Sequence, residues 1–148
     1  MAYSGRFRPT NINKYKGDVN NIVWRSMWER KVMSKLDEWP AVLEWSSEEI
    51  IVPYRSPLDN RIHRYFPDFV AKIDQGGGLS RTVMIEVKPK DRLKPPKKPK
   101  RQTRRYIGEC LEFAKNQAKF SAAEAYCADR GWTFMIWTED HIFNKATK

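Results

Sequence analysis

"MIEVKPK", residues 84–90, sets a glutamate and a lysine two positions apart at the end of an apolar run and then meets a proline. Side chains alternate between the two faces of a strand, so Glu86 and Lys88 point one way while Ile85 and Val87 enter the opposite layer. Pro89 ends the run, since proline cannot donate to the ladder of an interior strand. A strand of this kind needs an apolar layer for one face and a charged partner for the other. The plainest alternative is an exposed strand with a surface ion bridge between Glu86 and Lys88.

Upstream, "EEIIVPYRS" (48–56) and "RIHRYFPDFVAKI" (61–73) are rich in branched and aromatic residues, with turn residues in "SPLDN" and "DQGGGLS" between the runs. They predict an antiparallel meander of three strands that ends on the Glu86 strand. Asp68 then lies on the preceding strand, and hairpin neighbours on one face approach to about 5 Å. Asp68 and Glu86 can therefore share one cation. Carboxylate oxygens without histidine or thiolate nearby suit a hard ion, Mg²⁺ with Mn²⁺ as substitute. With Lys88 a side-chain length away, the set suits metal-assisted phosphodiester hydrolysis.

Downstream, residues 104–130 show helical spacing at Ile107, Leu111, Ala114 and Ala118, and Gly131 stands where a helix stops. The spacing predicts one long helix or two short ones. "WTFMIWT" (132–138) follows as a fourth strand, parallel to the third because a helix-sized connection separates them. "EDHIFNKATK" can add a last short helix. Nearer the start, Trp28, Val32 and Leu36 recur every four residues with Met33 beside them, a helix that ends before Pro40. Ser26 and Glu29 have the spacing of a capping box. Residues 1–21 show no period and read as an extended arm, with 22–148 as the folded domain and 89–103 as a basic linker.

Charge is unevenly placed. The chain of 148 residues carries a formal +10, and Lys88–Arg105 holds ten Lys or Arg against one Asp. Lys90, Arg92, Lys94, Lys97, Lys98, Lys100, Arg101, Arg104 and Arg105 are the candidate phosphate contacts, giving salt-dependent affinity for nucleic acid. A solvated tail or an acidic-lipid patch would also carry such a run. Cys110 and Cys127 are too few and too far apart for a zinc cluster and read as reduced, packed thiols. No segment has the length of a membrane span and the first residues have no signal core, so a soluble intracellular protein, or one released by lysis, is expected. His63 and His141 lack metal-ligand spacing. Trp24, Tyr3, Phe7 and Tyr15 are candidates for docking on a partner.

"PD" at 67–68 followed by "E-V-K" at 86–88 resembles the PD-(D/E)XK nuclease superfamily. In members resembling phage resolvases and transposase endonuclease subunits, a glutamate on the first helix joins the metal site, which implies a ligand role for Glu29 beside its capping role. "MAYSG", "P-x-N-I-x-K-Y", "GD", "RS-x-WE", "RYF-x-D", "IE-x-KPK", "RG" and "F-x-I-x-TED" are similar to the head-completion nucleases of T-even-type tailed phages, from Met1 to about Asp140. The basic insert matches less well.

The resemblance implies a restriction-endonuclease-like α/β fold, a mixed sheet flanked by helices, and a nuclease that acts on packaged phage DNA before the tail joins. It would be made in the host cytoplasm and reside in the virion head or neck, with head, portal or neck proteins as partners and no membrane. On this reading Asp68 and Glu86 bind the metal, the Val87 carbonyl completes its shell, Lys88 positions the attacking water and Glu29 assists. Asn116, Gln117 and Lys119 are further candidates from the long helix. One site per chain means that cutting both strands needs a homodimer or two successive events. The alternative is a non-catalytic basic protein of the neck that binds DNA or the portal.

Overall fold

The run that carries Glu86 is the strand β7, Leu79–Val87, and it lies inside a four-stranded sheet in a computed structural model that describes residues 4–143. Val83, Met84 and Ile85 are fully buried, as an apolar run with neighbours on both edges requires. On one edge β7 pairs antiparallel with β6, Phe69–Gly76, through a turn in which Gly76, Gly77 and Gly78 all take the positive φ that glycine tolerates. On the other it pairs parallel with β8, Thr133–Trp137. The fourth member is β3, Val42–Ser47, antiparallel to β6. The expected mixed α/β sheet, with three antiparallel strands, a crossover helix and a parallel last strand, is the observed one.

Two of the segments assigned to the meander behave differently. "EEIIVPYRS" does not enter this sheet. Its central part is β4, Val52–Arg55, which pairs only with β5, Ile62–Tyr65, as a separate hairpin. "RIHRYFPDFVAKI" is two strands, because Phe66 and Pro67 break it between β5 and β6. The sheet's outer strand comes instead from "VLEWSS". Its pattern is half-alternating, and Trp45, Ser46 and Ser47 are all buried, which hid it from a search for alternation.

Layers follow from the pleat. Phe69, Ala71, Val83, Ile85 and Trp45 join Val32, Met33 and Leu36 of α1, Met27–Glu38, in one apolar cluster. Met84 meets Ala123 and Cys127 of α2, Arg104–Arg130, in another, with Val52, Tyr54 and Tyr65 of the hairpin alongside. A buried side chain of Leu, Phe or Met size contributes about 1.5–3 kcal/mol, so the two clusters hold the sheet from both sides. α2 is one continuous helix, capped by the Thr103 hydroxyl and stopped at Gly131 in the left-handed conformation. Its stripe is only half used: Phe120, Ala123 and Cys127 are buried, whereas Ile107 and Leu111 are exposed. A short α3, Glu139–Phe143, closes the described chain, and the rest of the anticipated last helix lies outside the described residues.

Residues 4–24 contain little regular structure, with Gly5–Arg6 (β1) paired to Val23–Trp24 (β2), yet they are fastened to the core. Asp37, buried at the end of α1, accepts the Thr10 amide at 2.8 Å and the Asn11 amide at 3.3 Å. Tyr15 is buried with its ring edge-on to Trp45 at 4.8 Å, and Phe7 meets the same indole at 5.8 Å. These two aromatics are therefore core residues and not free docking groups; Tyr3 lies outside the described residues. Cys127 packs as a small apolar residue, and Cys110 is half-buried on α2. No helix of the described residues is long and apolar enough to cross a membrane.

Candidate active site

The sheet brings Asp68 and Glu86 together through register. Phe69 faces Ile85 across the β6–β7 pair, so the next step outward sets Asp68 beside Glu86. The Val87 amide donates to Asp68 Oδ2 at 2.8 Å and holds that carboxylate against the strand. What meets Asp68 from Val87 is thus its N–H. Lys88 rises from the same face as Glu86, with Nζ 3.8 Å from Oε2. Its own amide donates to the Trp137 carbonyl at 3.0 Å, which ties the end of β7 to β8 just before Pro89 breaks away.

Glu29 reaches this corner from the first turn of α1. Ser26 caps the helix by accepting the Glu29 amide at 3.1 Å. The return bond differs from a strict capping box: Glu29 Oε1 accepts from the amide of Arg25, one residue before the cap, at 3.1 Å. Glu48 completes the cluster, and sequence reasoning missed it. It follows β3 with φ at +53°, a left-handed turn unusual for a side chain other than glycine or asparagine, and its amide bonds the Asp68 carbonyl at 3.2 Å. Glu29, Glu48 and Asp68 offer carboxylate oxygens that all lie within 4.8 Å of one another. Nothing in "WSSEE" marks Glu48 out; only the turn after β3 aims it inward.

Burial and neighbouring negative charge oppose ionisation of Asp68, Glu29 and Glu86. Burial and then the charge of Glu86 hold the Asp68 carboxyl well above its usual range. Burial raises Glu29, against the hydrogen bond from the Arg25 amide. Burial also raises Glu86, against the Tyr65 hydroxyl and the charge of Lys88. Arg25 offsets part of the negative charge by pairing with Glu48 at two points, 3.2 and 3.1 Å. An all-oxygen cluster is chemically matched to a hard divalent cation, which would favour the ionised forms of Asp68 and Glu29.

The later helix contributes unequally. Lys119 sits over the rings of Tyr65 at 5.6 Å and Tyr54 at 5.9 Å, close enough to Glu86 to feel its charge, and burial lowers its pKa. Asn116 is buried and faces the basic linker, where it lines a cleft of about 440 Å³ with Arg92, Lys94, Lys97, Glu109 and Glu112. Gln117 is exposed. In the linker itself Lys90 pairs with Asp140, and its amide bonds Glu139 at 2.8 Å. Arg105 pairs with Glu109 at 3.7 Å. Lys98, Lys100, Arg101 and Arg104 are exposed and make no ion pair among the described residues. Of the two histidines, His63 pairs with Asp59 and His141 folds back onto Thr138.

A mixed sheet of this order, with acidic side chains gathered where β3 and β7 end and β6 begins, is the architecture of an endonuclease-like α/β domain. The chain belongs to the TnsA-like endonuclease N-terminal family, which it matches over residues 39–139. That span includes Glu48, Asp68, Glu86, Lys88 and Lys119 and leaves out Glu29. Across 146 residues the chain is 38% identical to the head completion nuclease of Enterobacteria phage T4, covering 96% of this chain and 95% of that protein.

Proposed function

We propose that this protein is a divalent-metal-dependent deoxyribonuclease of phage head completion, acting on packaged DNA before head and tail join. The observation that carries the reading is the convergence of Glu29, Glu48 and Asp68 within 4.8 Å beside the Glu86–Lys88 strand, in a chain of an endonuclease family. Mg²⁺, with Mn²⁺ as substitute, fits an oxygen-only donor set. The name of the phage T4 relative supports the place in head completion, and with it a location in the virion head or neck and head, portal or neck proteins as partners.

Asp68, Glu48, Glu29 and Glu86 would hold the ion. When bound, such an ion supplies Lewis-acid stabilisation of the phosphate and a water of lowered pKa. Asp68 is held in place by the Val87 amide through Oδ2, which leaves Oδ1 for the ion. The Val87 carbonyl is a further candidate ligand. Lys88 stands next to Glu86 and carries a positive charge to orient the attacking water or face the phosphate. Lys94, Lys97, Lys98, Lys100, Arg101 and Arg104 hold the DNA backbone electrostatically, with Lys90, Arg92 and Arg105 at the margins. One such site per chain cuts one strand, so a double-strand break takes a homodimer or two successive events.

The test is incubation of purified protein with supercoiled plasmid and with end-labelled linear duplex, in Mg²⁺, Mn²⁺ or EDTA, beside Glu86→Ala. Metal-dependent cutting that the variant loses is expected. Salt-sensitive binding without cutting by either protein would instead fit a non-catalytic DNA- or portal-binding protein of the neck.

A further inference from the structure

Glu86 is a buried carboxylate whose two oxygens have different neighbours. Its Oε1 accepts the Tyr65 hydroxyl at 2.5 Å, and its Oε2 faces Lys88 Nζ at 3.8 Å. It stands beside the Glu29–Glu48–Asp68 group, which gathers within 4.8 Å without it. Tyr65 comes from β5, in the hairpin that takes no part in the main sheet. The ring is itself buried, packed with Val52, Tyr54, Met84, Ala123 and Cys127, and the Lys119 ammonium lies over it at 5.6 Å. A side chain fixed by packing on one side and by a cation on the other presents its hydroxyl in one place.

We infer that Tyr65 is a positioning residue for Glu86, fixing its Oε1 so that Oε2, the oxygen nearer Lys88, is the one left for the ion. This rests on the reading of Glu86 as a metal ligand. A carboxylate free to rotate can offer either oxygen or both, and ordering it on metal binding costs side-chain entropy. A hydroxyl that already holds one oxygen removes that freedom before the ion arrives. Partners of this outer kind are worth about 10–100-fold in metal affinity. The β4–β5 hairpin thereby gains a role in the site: it carries the hydroxyl to a strand with which it does not pair.

The experiment is calorimetric titration of Mn²⁺ into the full-length protein without DNA, for wild type, Tyr65→Phe, Tyr54→Phe and Glu86→Gln, with thermal melting in EDTA as a check of folding. Tyr54 shares the hairpin and the Lys119 contact and makes no bond to Glu86, so it reports packing alone. The expected result is Mn²⁺ binding weakened about 10–100-fold in Tyr65→Phe, near wild type in Tyr54→Phe and weakened at least as much in Glu86→Gln. The half-saturating Mn²⁺ for cleavage should rise in Tyr65→Phe, with the rate recovered at high metal. If Tyr65→Phe binds Mn²⁺ within twofold of wild type while Glu86→Gln does not, the positioning role is wrong. An equal loss in Tyr54→Phe overturns it too, as a packing effect. If Glu86→Gln binds like wild type, the ligand role of Glu86 fails first.

Discussion

The Val87 amide and the Asp68 carboxylate are joined at 2.8 Å across two strands, so the end of β7 and the start of β6 are locked where the acidic cluster begins. Asp68→Ala removes both that anchor and a proposed ligand. Its cleavage rate should fall by more than the 10–100-fold typical of an outer-shell partner, with DNA affinity within about twofold of wild type. Single-turnover cleavage beside a binding isotherm on the same duplex reads both.

Glu48 was invisible in the sequence, and its pairing with Arg25 makes its role separable. Glu48→Gln keeps the shape and removes the charge, and it should weaken Mn²⁺ binding and cleavage together. Arg25→Ala should leave cleavage far less affected, because an exposed ion pair contributes at most about 1 kcal/mol. Equal losses in the two variants, measured by Mn²⁺ titration, would make the ion pair and not the carboxylate the functional unit.

The exposed cations of the linker are the proposed contacts to the DNA backbone. Replacing Lys97, Lys98, Lys100 and Arg101 together by Gln should weaken duplex binding and flatten the slope of log affinity against log salt by up to about 3 to 4, at about 0.9 for each phosphate no longer neutralised. The cleavage rate at saturating DNA should change little. Fluorescence anisotropy across a salt series is the measurement.

The raised carboxyls impose a pH dependence on the metal-free protein. Asp68 and Glu86 sit above their ordinary values of 3.8 and 4.5, so the folded chain keeps protons that the unfolded chain has released. Their contribution to stability is full below those ordinary values and is lost as pH rises through the raised ones. In EDTA, wild type should therefore lose stability relative to Asp68→Asn as pH climbs from about 4. Mn²⁺ should oppose that loss in wild type, by more at higher pH. Melting curves of both proteins across the range, with and without metal, check the sign.

Asp37 carries no chemistry in this account and anchors the first residues. Beyond the two amides it accepts, its carbonyl takes the Lys14 ammonium at 2.7 Å and the Asn11 side chain at 2.9 Å. Asp37→Ala should destabilise the fold by about 1.5–3 kcal/mol through the missing bonds to its carboxylate. It should also open the segment before residue 24 to limited proteolysis.

Much of the architecture was legible because the pleat is regular. Alternation in "MIEVK" set Glu86 and Lys88 on one face, and the short hairpin put Asp68 beside them. The helix-sized gap before "WTFMIWT" implied a parallel strand. What escaped was local and irregular. "VLEWSS" buries consecutive residues and shows little alternation, and Glu48 is aimed by a positive φ that glutamate does not advertise. In α2 the periodicity at Ile107 and Leu111 marked a helix correctly while saying nothing of which turns are covered. Tyr65 is one more aromatic residue in a strand-forming run, and its hydroxyl acquires meaning only when a second hairpin folds against β7.

The most direct test of the central claim is cleavage of supercoiled plasmid by wild type and Asp68→Ala at equal DNA occupancy, with Mn²⁺ added to samples first stripped by EDTA. The account predicts nicking that returns with metal in wild type alone. Equal cutting by both proteins, or cutting in EDTA, would contradict it.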